Sequence, residues 1–372
     1  MGAINQTENQ PNLQSFKKPK IVLTGGGTGG HVSPNLALVP ALEADGWEIF
    51  YIGSSSGIEK QLVAEVGLPY YGISSGKLRR YFSWQNFIDP FKVIKGIFDA
   101  YLAIAQIKPQ VVFSKGGFVT VPVIFASWLQ RIPVIIHESD FSSGLANRLS
   151  IPFATKVCVT FPETAKHLAK YGSKIKHTGL PIRPDILNGN PDRGRAFCGI
   201  YGDLPVLFVV GGSTGSAKIN QAVRSVLDVL TQTYQVVHAC GKGNIDLNLK
   251  DYPRYCQFEY LGTELADVLA LADLVVSRSG ANAVFEFLTL RKPNLLIPLS
   301  KKSSRGDQIL NAKSFQSRGY SAVLFEEDLH NESLLAAIAD LSGRRDEYIQ
   351  NMNQSEDANA IAQIVDLIKA FS

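Results

Sequence analysis

Two glycine-rich turns carry much of the chemistry available to this chain. The first, in IVLTGGGTGGHVSPN, leads from an apolar run into a helical pattern, with Gly25, Gly27 and Gly30 spaced as G-x-G-x-x-G and His31 directly after them. The second, in VLFVVGGSTGSAKIN, repeats the plan around Ser213 and Gly215. Bare amides at a helix start carry partial positive charge and favour anionic or polar ligands. The dinucleotide fingerprint also needs an acid ending the next strand, and here EIFYIG runs into Ser54, Ser55 and Ser56. The second turn lacks the G-K-[ST] ending of a P-loop, which argues against ATP hydrolysis. It can still grip a diphosphate without a metal, with Lys218 either adding charge or simply solvated. His31 projects from its turn toward a cleft, where an imidazole can shuttle protons near neutral pH; a lone histidine is otherwise an ordinary structural residue.

Three more segments hold candidates. In HESDFSSGLANR, Glu138 and Asp140 follow a buried-looking strand and reach the cleft edge, as a base and its orienting partner. Asp140 reads equally as the cap of a helix starting near Ser142. In SRSGANAVFE, Gly280 turns into a helix with Ala281 at its start and Glu286 about one turn inside. A carboxylate there can accept two hydrogen bonds from ribose hydroxyls, or be a solvated acid. In SRGDQILNA, Asp307 and Gln308 open another helix, and such side chains suit sugar hydroxyls.

A different signal lies in GKLRRYFSWQNFIDPFKVIKGIFDAY. Lys77, Arg79, Arg80, Lys92 and Lys95 are interleaved with Tyr81, Phe82, Trp84, Phe87, Phe91 and Phe98. Apolar surface ringed by cations suits an anionic membrane surface. Nucleic-acid stacking is the rival, but no nucleic-acid motif accompanies it, so no nucleic-acid partner is expected. The helical spacing of Phe91, Ile94 and Phe98 also fits plain core packing.

Composition narrows the class. At 372 residues, 45% hydrophobic and 19% charged, the chain is globular and long enough for two or three domains. Its net charge of +4 decides little alone. Cys158, Cys198, Cys240 and Cys256 never form C-x-x-C, which excludes a disulfide scaffold or zinc ribbon and fits a reducing compartment. The apolar run Phe118 to Leu129 falls short of the roughly 20 residues of a membrane span, and residues 1–18 form a loose polar tail without a signal peptide. A soluble cytoplasmic chain is expected.

Strands are expected at Ile21–Thr24, Glu48–Ile52, Val111–Ser114, Val134–His137 and Lys156–Thr160. A second series follows at Val206–Val210, Gln235–Ala239, Leu274–Ser277, Asn294–Ile297 and Ala322–Phe325. Helical patterns such as Asn35–Ala44, Ile58–Val66, Lys218–Leu230 and Ala283–Leu290 lie between them. Short apolar strands alternating with helices give parallel sheets covered on both faces. The fold class is therefore α/β, with two doubly wound parallel-sheet domains over 19–182 and 183–355. The Pro- and Gly-rich Gly179–Asp203 acts as linker, and a C-terminal helix within 356–372 packs back on the first domain. Ligands of such sheets bind beyond the carboxyl ends of the strands, so both glycine turns face one interdomain cleft suited to a two-substrate reaction.

GGGTGGH, GGSTGSAKIN, SRSGANAVFE and DQILNA, in this order and spanning nearly the whole chain, resemble the MurG family. GKLRRYFSWQN and IHESDFSSGLANR resemble its low-GC Gram-positive members. The resemblance implies the GT-B fold, Rossmann-like throughout, and an inverting hexosyltransferase moving N-acetylglucosamine from UDP-GlcNAc to lipid I, giving lipid II for peptidoglycan. It further implies a peripheral enzyme at the cytoplasmic face of the cell membrane, with no cofactor. No D-x-D motif occurs to hold a metal. By motif match, Ser213, Gly215 and neighbouring amides would hold the donor diphosphate, with Arg183 and Ala281 in the same donor site. Glu286 would hold the ribose, Gln308 the GlcNAc hydroxyls, and Leu261 and Gly262 the uracil edge. Thr28, Gly29 and Gly30 would approach the donor sugar beside the acceptor diphosphate. His31 leads as base, with Glu138 or Asp140 behind it. Asp140 and Asp307 depart from the family, which often has asparagine and glutamine or histidine there, so their sugar contacts follow less directly than that of Gln308. The rivals are a glycosyltransferase with another lipid acceptor, a non-catalytic sugar-nucleotide-binding module, and a dinucleotide-dependent oxidoreductase.

Overall fold

Thirteen short runs, mostly apolar, pair entirely in parallel among the described residues, in two sheets built to one plan. The computed structural model describes residues 18–27, 29–76, 85–212, 214–301 and 306–371, with 85–90, 356 and 358 by backbone alone. The first sheet contains β1 (Lys20–Thr24), β2 (Glu48–Ser54), β3 (Tyr70–Ile73), β4 (Val111–Ser114), β5 (Val134–Glu138), β6 (Lys156–Val159) and β7 (Ile175–His177), in spatial order 3-2-1-4-5-6-7. The second contains β8 (Val206–Val210), β9 (Gln235–Ala239), β10 (Tyr255–Phe258), β11 (Leu274–Ser277), β12 (Asn294–Leu296) and β13 (Ala322–Val323), in order 10-9-8-11-12-13. Strand order reverses between β1 and β4, where Thr24 pairs with Ser114, and between β8 and β11, where Val210 pairs with Ser277. Each reversal opens a crevice at the carboxyl ends of the strands.

All ten expected strands are present, with ends shifted by at most two residues. The three unexpected ones, β3, β7 and β10, lie at sheet edges and are only partly covered. An edge strand packs on fewer neighbours, so its residues need not be apolar and the local pattern fades. The expected helix Asn35–Ala44 is instead Gly29–Leu36 followed by Val39–Ala44, with Pro34 inside the first and Pro40 in the first turn of the second. Proline removes a backbone donor and tolerates a helix's first turn better than its interior. The expected Lys218–Leu230 divides at Val226 into Ala217–Ser225 and Leu227–Thr233.

Gly179–Asp203 is more than a linker. Its helix Pro191–Cys198 packs against Leu265–Leu271 of the second sheet's layer, and Arg193 pairs with Asp267 at 2.7 Å. In the long helix Gln85–Ile107, which packs on Thr120–Leu129, the outcome is the reverse of core packing: Phe91 is 73% exposed, Ile94 65% and Phe98 63%. Among the described residues, no helix is long and apolar enough to cross a membrane.

The chain ends on the first sheet. Helix Ala360–Lys369 buries Ile364, Val365 and Ile368 in one cluster with Ile21, Leu23, Leu38 and Leu42, and Lys369 reaches Asp45 at 3.2 Å. The fold of the first sheet thus depends on residues more than 300 positions away. Ile364→Ala should therefore destabilise the protein by about 2–4 kcal/mol, the usual cost of such a buried truncation. Urea unfolding followed together with amide exchange in β1 measures this, and exchange in β8 should change least.

Candidate functional site

Both crevices open into one cavity of about 670 Å³. Gly29, Gly30, His31, Ser139 and Asp140 wall it from the first sheet's side; Gly212, Leu261, Gly280, Ala281 and Glu286 do so from the second, with Arg183 from the connecting segment. Phe208, Leu265, Leu269 and Phe287 supply apolar lining. Thr28 and Ser213 lie outside the described residues.

The first glycine turn is held by its own chain. Glu59, fully buried, accepts hydrogen bonds from Ser54 N–H (3.0 Å), Ser54 Oγ (2.6 Å) and Gly27 N–H (3.3 Å). Its carboxylate thus serves the loop near the end of β2, where a dinucleotide fold would offer an acid to a ribose. Gly117, at φ +94°, lies so close to the Gly26 carbonyl that no side chain fits between them. With these supports, helix Gly29–Leu36 starts at the cavity wall. His31 Nδ1 is buried there without a hydrogen-bond partner among the described residues, and burial, reinforced by the Lys115 cation, pushes the imidazole down to about 4. His31 is therefore neutral at physiological pH, with polar capacity left for a ligand.

Glu138 does not reach the cleft edge as expected. Its carboxylate turns inward and accepts from Asp140 N–H (3.0 Å), Gly144 N–H (3.1 Å) and Asn147 Nδ2 (2.9 Å). It shapes the loop that carries Ser139 and Asp140 to the wall. Burial raises its pKa, and the Asp140 charge adds to that. Asp140 does not cap a helix from Ser142: the helix is Leu145–Ser150, with Gly144 at its cap. Behind this loop lies Lys115, which the sequence reading passed over although it is a charge closing an apolar strand. Its ammonium is completely buried and donates to His137 Nδ1 (2.8 Å) and Ser139 Oγ.

On the second side, helix Ala281–Leu290 begins at the cavity with no side chain capping its amides. Glu286 projects from it, and burial lifts its carboxyl to about 7 against the opposing Arg183 charge. Gly215, at φ +75°, packs on the Cys240 carbonyl too closely for any side chain, which folds the second glycine turn against the loop after β9. Ser216 caps helix Ala217–Ser225 and accepts from Arg278 Nη2 at 2.7 Å. Arg278 is also paired with Glu326 (2.5 Å), which binds Lys218 at 2.8 Å. Lys218 is thus neither free charge nor merely solvated, and Arg278 is a buried support of the turn that the reading did not single out. Tyr260 and Asn282 also line the cavity and were not foreseen, since neither type stands out in its segment.

Besides Glu138 and Gly215, three expected residues are not on the cavity wall. Gly262 donates its N–H to Glu264 Oε2 (3.1 Å). Asp307 accepts from Ser142 Oγ (2.6 Å), a latch between the two halves, and Gln308 Oε1 accepts from Leu299 N–H (3.0 Å). Lys77, Arg79, Arg80, Tyr81, Phe82 and Trp84 lie outside the described residues, and Phe87 is described by backbone alone.

The raised carboxyl of Glu286 links to stability. A folded-state pKa near 7 against 4.5 unfolded favours the fold below about pH 4.5, and that contribution is lost as pH rises through 7. Ionised Glu286 then costs the unliganded protein roughly 1–3 kcal/mol. Glu286→Gln should therefore raise the melting temperature at pH 8 and leave it nearly unchanged near pH 4, as calorimetry at the two pH values can check.

The N-terminal-domain model of glycosyltransferase family 28 matches residues 21–159, and the C-terminal-domain model matches residues 206–368. A Clostridium perfringens UDP-N-acetylglucosamine--N-acetylmuramyl-(pentapeptide) pyrophosphoryl-undecaprenol N-acetylglucosamine transferase is 54% identical over 354 residues, 95% of this chain and 99% of that one. A Bacillus cereus protein of the same description, numbered 2, is 53% identical over 346 residues, 93% of this chain and 98% of its own length. Among solved structures, Acinetobacter baumannii MurG overlays with a TM-score of 0.74 at 24% identity, covering 95% of this chain and all of that one. A Neisseria meningitidis UDP-GlcNAc 2-epimerase bound to UDP-GlcNAc gives 0.68 at 15% identity, with 95% and 100% covered. At those identities the overlays speak for the two-sheet GT-B fold alone. The similarity along both halves, set beside the cleft between them, means that this chain belongs to glycosyltransferase family 28 and, within it, to the MurG family.

Proposed function

We infer that this chain transfers N-acetylglucosamine from UDP-GlcNAc to the C4 hydroxyl of the muramoyl sugar of lipid I, giving lipid II for peptidoglycan synthesis. One observation carries the reading beyond family membership: a single cavity walled by His31 and Asp140 from one domain and by an uncapped helix start and Glu286 from the other. The 54% identity to a transferase of that description supports both substrates. The first domain takes the acceptor and faces the membrane; the second takes the donor.

The reaction is one inverting displacement. The acceptor C4 oxygen attacks C1 of GlcNAc, its proton passes to a base, and the C1–O bond breaks with its electron pair going to the UDP phosphate oxygen. Main-chain donors of the second glycine turn near Ser213 and of the helix start at Ala281 take up the charge that develops on the leaving diphosphate, while Gly215, whose N–H donates to the Gly212 carbonyl at 2.9 Å, shapes that turn. Arg183 adds a cation beside them, Glu286 in its ionised form accepts from the ribose, and Leu261 meets the uracil edge, where Gly262 would take part only by exchanging its Glu264 hydrogen bond. Gly29 and Gly30 approach the sugar from the other wall, and Thr28 precedes them in the chain. Gln308 binds GlcNAc hydroxyls, which requires it to exchange its Leu299 hydrogen bond on donor binding.

His31 is the base in this reading. Its low pKa keeps a lone pair available at neutral pH, and an arriving diphosphate raises its basicity. His31→Ala should lower turnover by about 10²–10⁴-fold while leaving UDP-GlcNAc affinity within a few-fold. UDP release with a lipid I analogue and donor titration measure the two effects, and full turnover by the variant would remove His31 from this role.

The enzyme acts as a peripheral protein at the cytoplasmic face of the membrane. Phe91, Ile94 and Phe98 form an exposed apolar row on one helix, with Lys92 and Lys95 among them. This row extends the sequence patch of Lys77, Arg79, Arg80, Tyr81, Phe82, Trp84 and Phe87 that adjoins it in the chain. Burying aromatic surface in the headgroup region while cations meet anionic lipid favours attachment. The double variant Phe91→Ser, Phe98→Ser should bind anionic vesicles about tenfold more weakly or worse, with its melting temperature unchanged, because each ring carries at least ~1 kcal/mol of transferable surface. Sedimentation with vesicles at rising salt measures the apolar and ionic parts separately.

A further inference from the structure

We propose that Lys115 and Ser139 form a charge-backed hydroxyl donor on the first-domain wall of the cleft, aimed at an anionic oxygen of the diphosphate-linked acceptor. This rests on the functional reading above. Lys115 is 1% exposed, one residue beyond the end of β4. One of its hydrogen-bond partners is His137 Nδ1 at 2.8 Å. The Gly179 carbonyl, 2.8 Å from His137 Nε2, can only accept, so Nε2 carries the proton and Nδ1 offers a lone pair. His137 is therefore neutral, in keeping with the strong downward shift that burial imposes on it.

The other partner is Ser139 Oγ. An ammonium has no lone pair, so Ser139 accepts from it and keeps its own O–H to donate elsewhere. Ser139 lines the cavity, and Lys115 sits behind it. A hydroxyl polarised from behind by a buried cation is a stronger donor than one facing water. Both of these hydrogen bonds from Lys115 end on neutral groups, so its charge is met only through space, by the Glu138 and Asp140 carboxylates, and an oxygen ligand on Ser139 would add a hydrogen-bonded partner.

The groups that face the ammonium are Glu138 and Asp140 at the end of β5, Cys158 on β6, His137, and His31 on the first glycine helix. Glu138 is committed to loop amides. Lys115 thus acts through Ser139 as a positioning residue, while Ser139 meets the substrate. A lone lysine closing the apolar run VVFS is the trace of this arrangement in the sequence.

The test uses the full chain as wild type, Lys115→Met, Ser139→Ala and the double variant, with UDP-GlcNAc and a soluble short-chain lipid I analogue. Methionine keeps the length and flexibility of the side chain without its charge. Each single variant should raise the acceptor KM about tenfold and the donor KM less than about twofold, and the double variant should be no worse than the poorer single, since both remove one donor. In wild type the acceptor KM should also rise with pH as Lys115, held below the ordinary lysine range by burial, loses its proton. Lys115→Met also removes a cation that holds the Glu138 pKa down, so a limb that moves to higher pH belongs to Glu138 and one that is lost belongs to the lysine.

An unchanged acceptor KM in Ser139→Ala, equal rises for both substrates, or full additivity overturns the proposal. If Lys115→Met melts well below wild type, Ser139→Ala decides alone, because its hydroxyl faces the cavity. Absence of UDP release by the wild-type enzyme overturns the functional reading and this inference together, whereas normal turnover with unaltered variants overturns only the inference.

Discussion

Parallel strands send the chain out along one edge of a sheet, and where strand order reverses the outgoing loops diverge and leave a gap. This constraint acts twice here, between β1 and β4 and between β8 and β11. Each gap is lined by the turn that follows its first strand, so the walls of the cavity consist largely of backbone and of helix starts. The amides at those starts cannot be used up by their own helices, and they hold their polarity at any pH. Backbone polarity that favours an anion at the cleft follows from topology before any side chain is considered. The side chains then divide the labour: Glu59 and Glu138 hold loops in place, and His31, Asp140, Arg183 and Glu286 face the space between.

Burial sets the electrostatics of that space. Carboxyls at Glu138 and Glu286 are raised, and the Lys115 ammonium and the His31 imidazole are lowered, each chiefly by loss of water. Charged groups held in such a state are unfavourable in the empty protein and favourable once a complementary ligand arrives. The supporting ion pairs differ in kind. Arg278 and Glu326 are both buried and fixed beneath the second glycine turn, where Arg278 also holds Ser216. Removing Glu326 would strand the Arg278 charge, whereas without Arg278 the Glu326 carboxylate keeps Lys218, so the pair is a rigid prop more than a source of net stability.

The two halves are joined by more than the connecting segment. Ser142 with Asp307 and Ser314 with Glu163 bridge them by single hydrogen bonds, while helix Ala360–Lys369 carries the end of the chain back to the first sheet. Polar bridges of this kind exchange readily with water. Apolar contact joins the halves as well, with Phe161 packed on Phe285 and Phe315, and the anchoring of the last helix adds to it.

The glycine turns, the central strands and the alternation of strand with helix were legible in the sequence because they depend on neighbours in the chain: a bare backbone at a turn, an apolar run, a helix that follows. The order of the four motifs also carried the family. Edge strands β3, β7 and β10 were not legible, since half-covered residues need no apolar pattern. Nor was the direction of Glu138, because whether a carboxylate meets the cleft or its own loop depends on amides six to nine residues on and on how that loop closes. Phe91, Ile94 and Phe98 have the spacing of a core stripe, yet they stand exposed, with no covering element among the described residues. Lys115 was just one charge until folding set it against His137 and Ser139. Local periodicity and turn chemistry belong to the sequence; which face is covered, and which charges meet out of water, is decided by contacts between residues far apart in the chain.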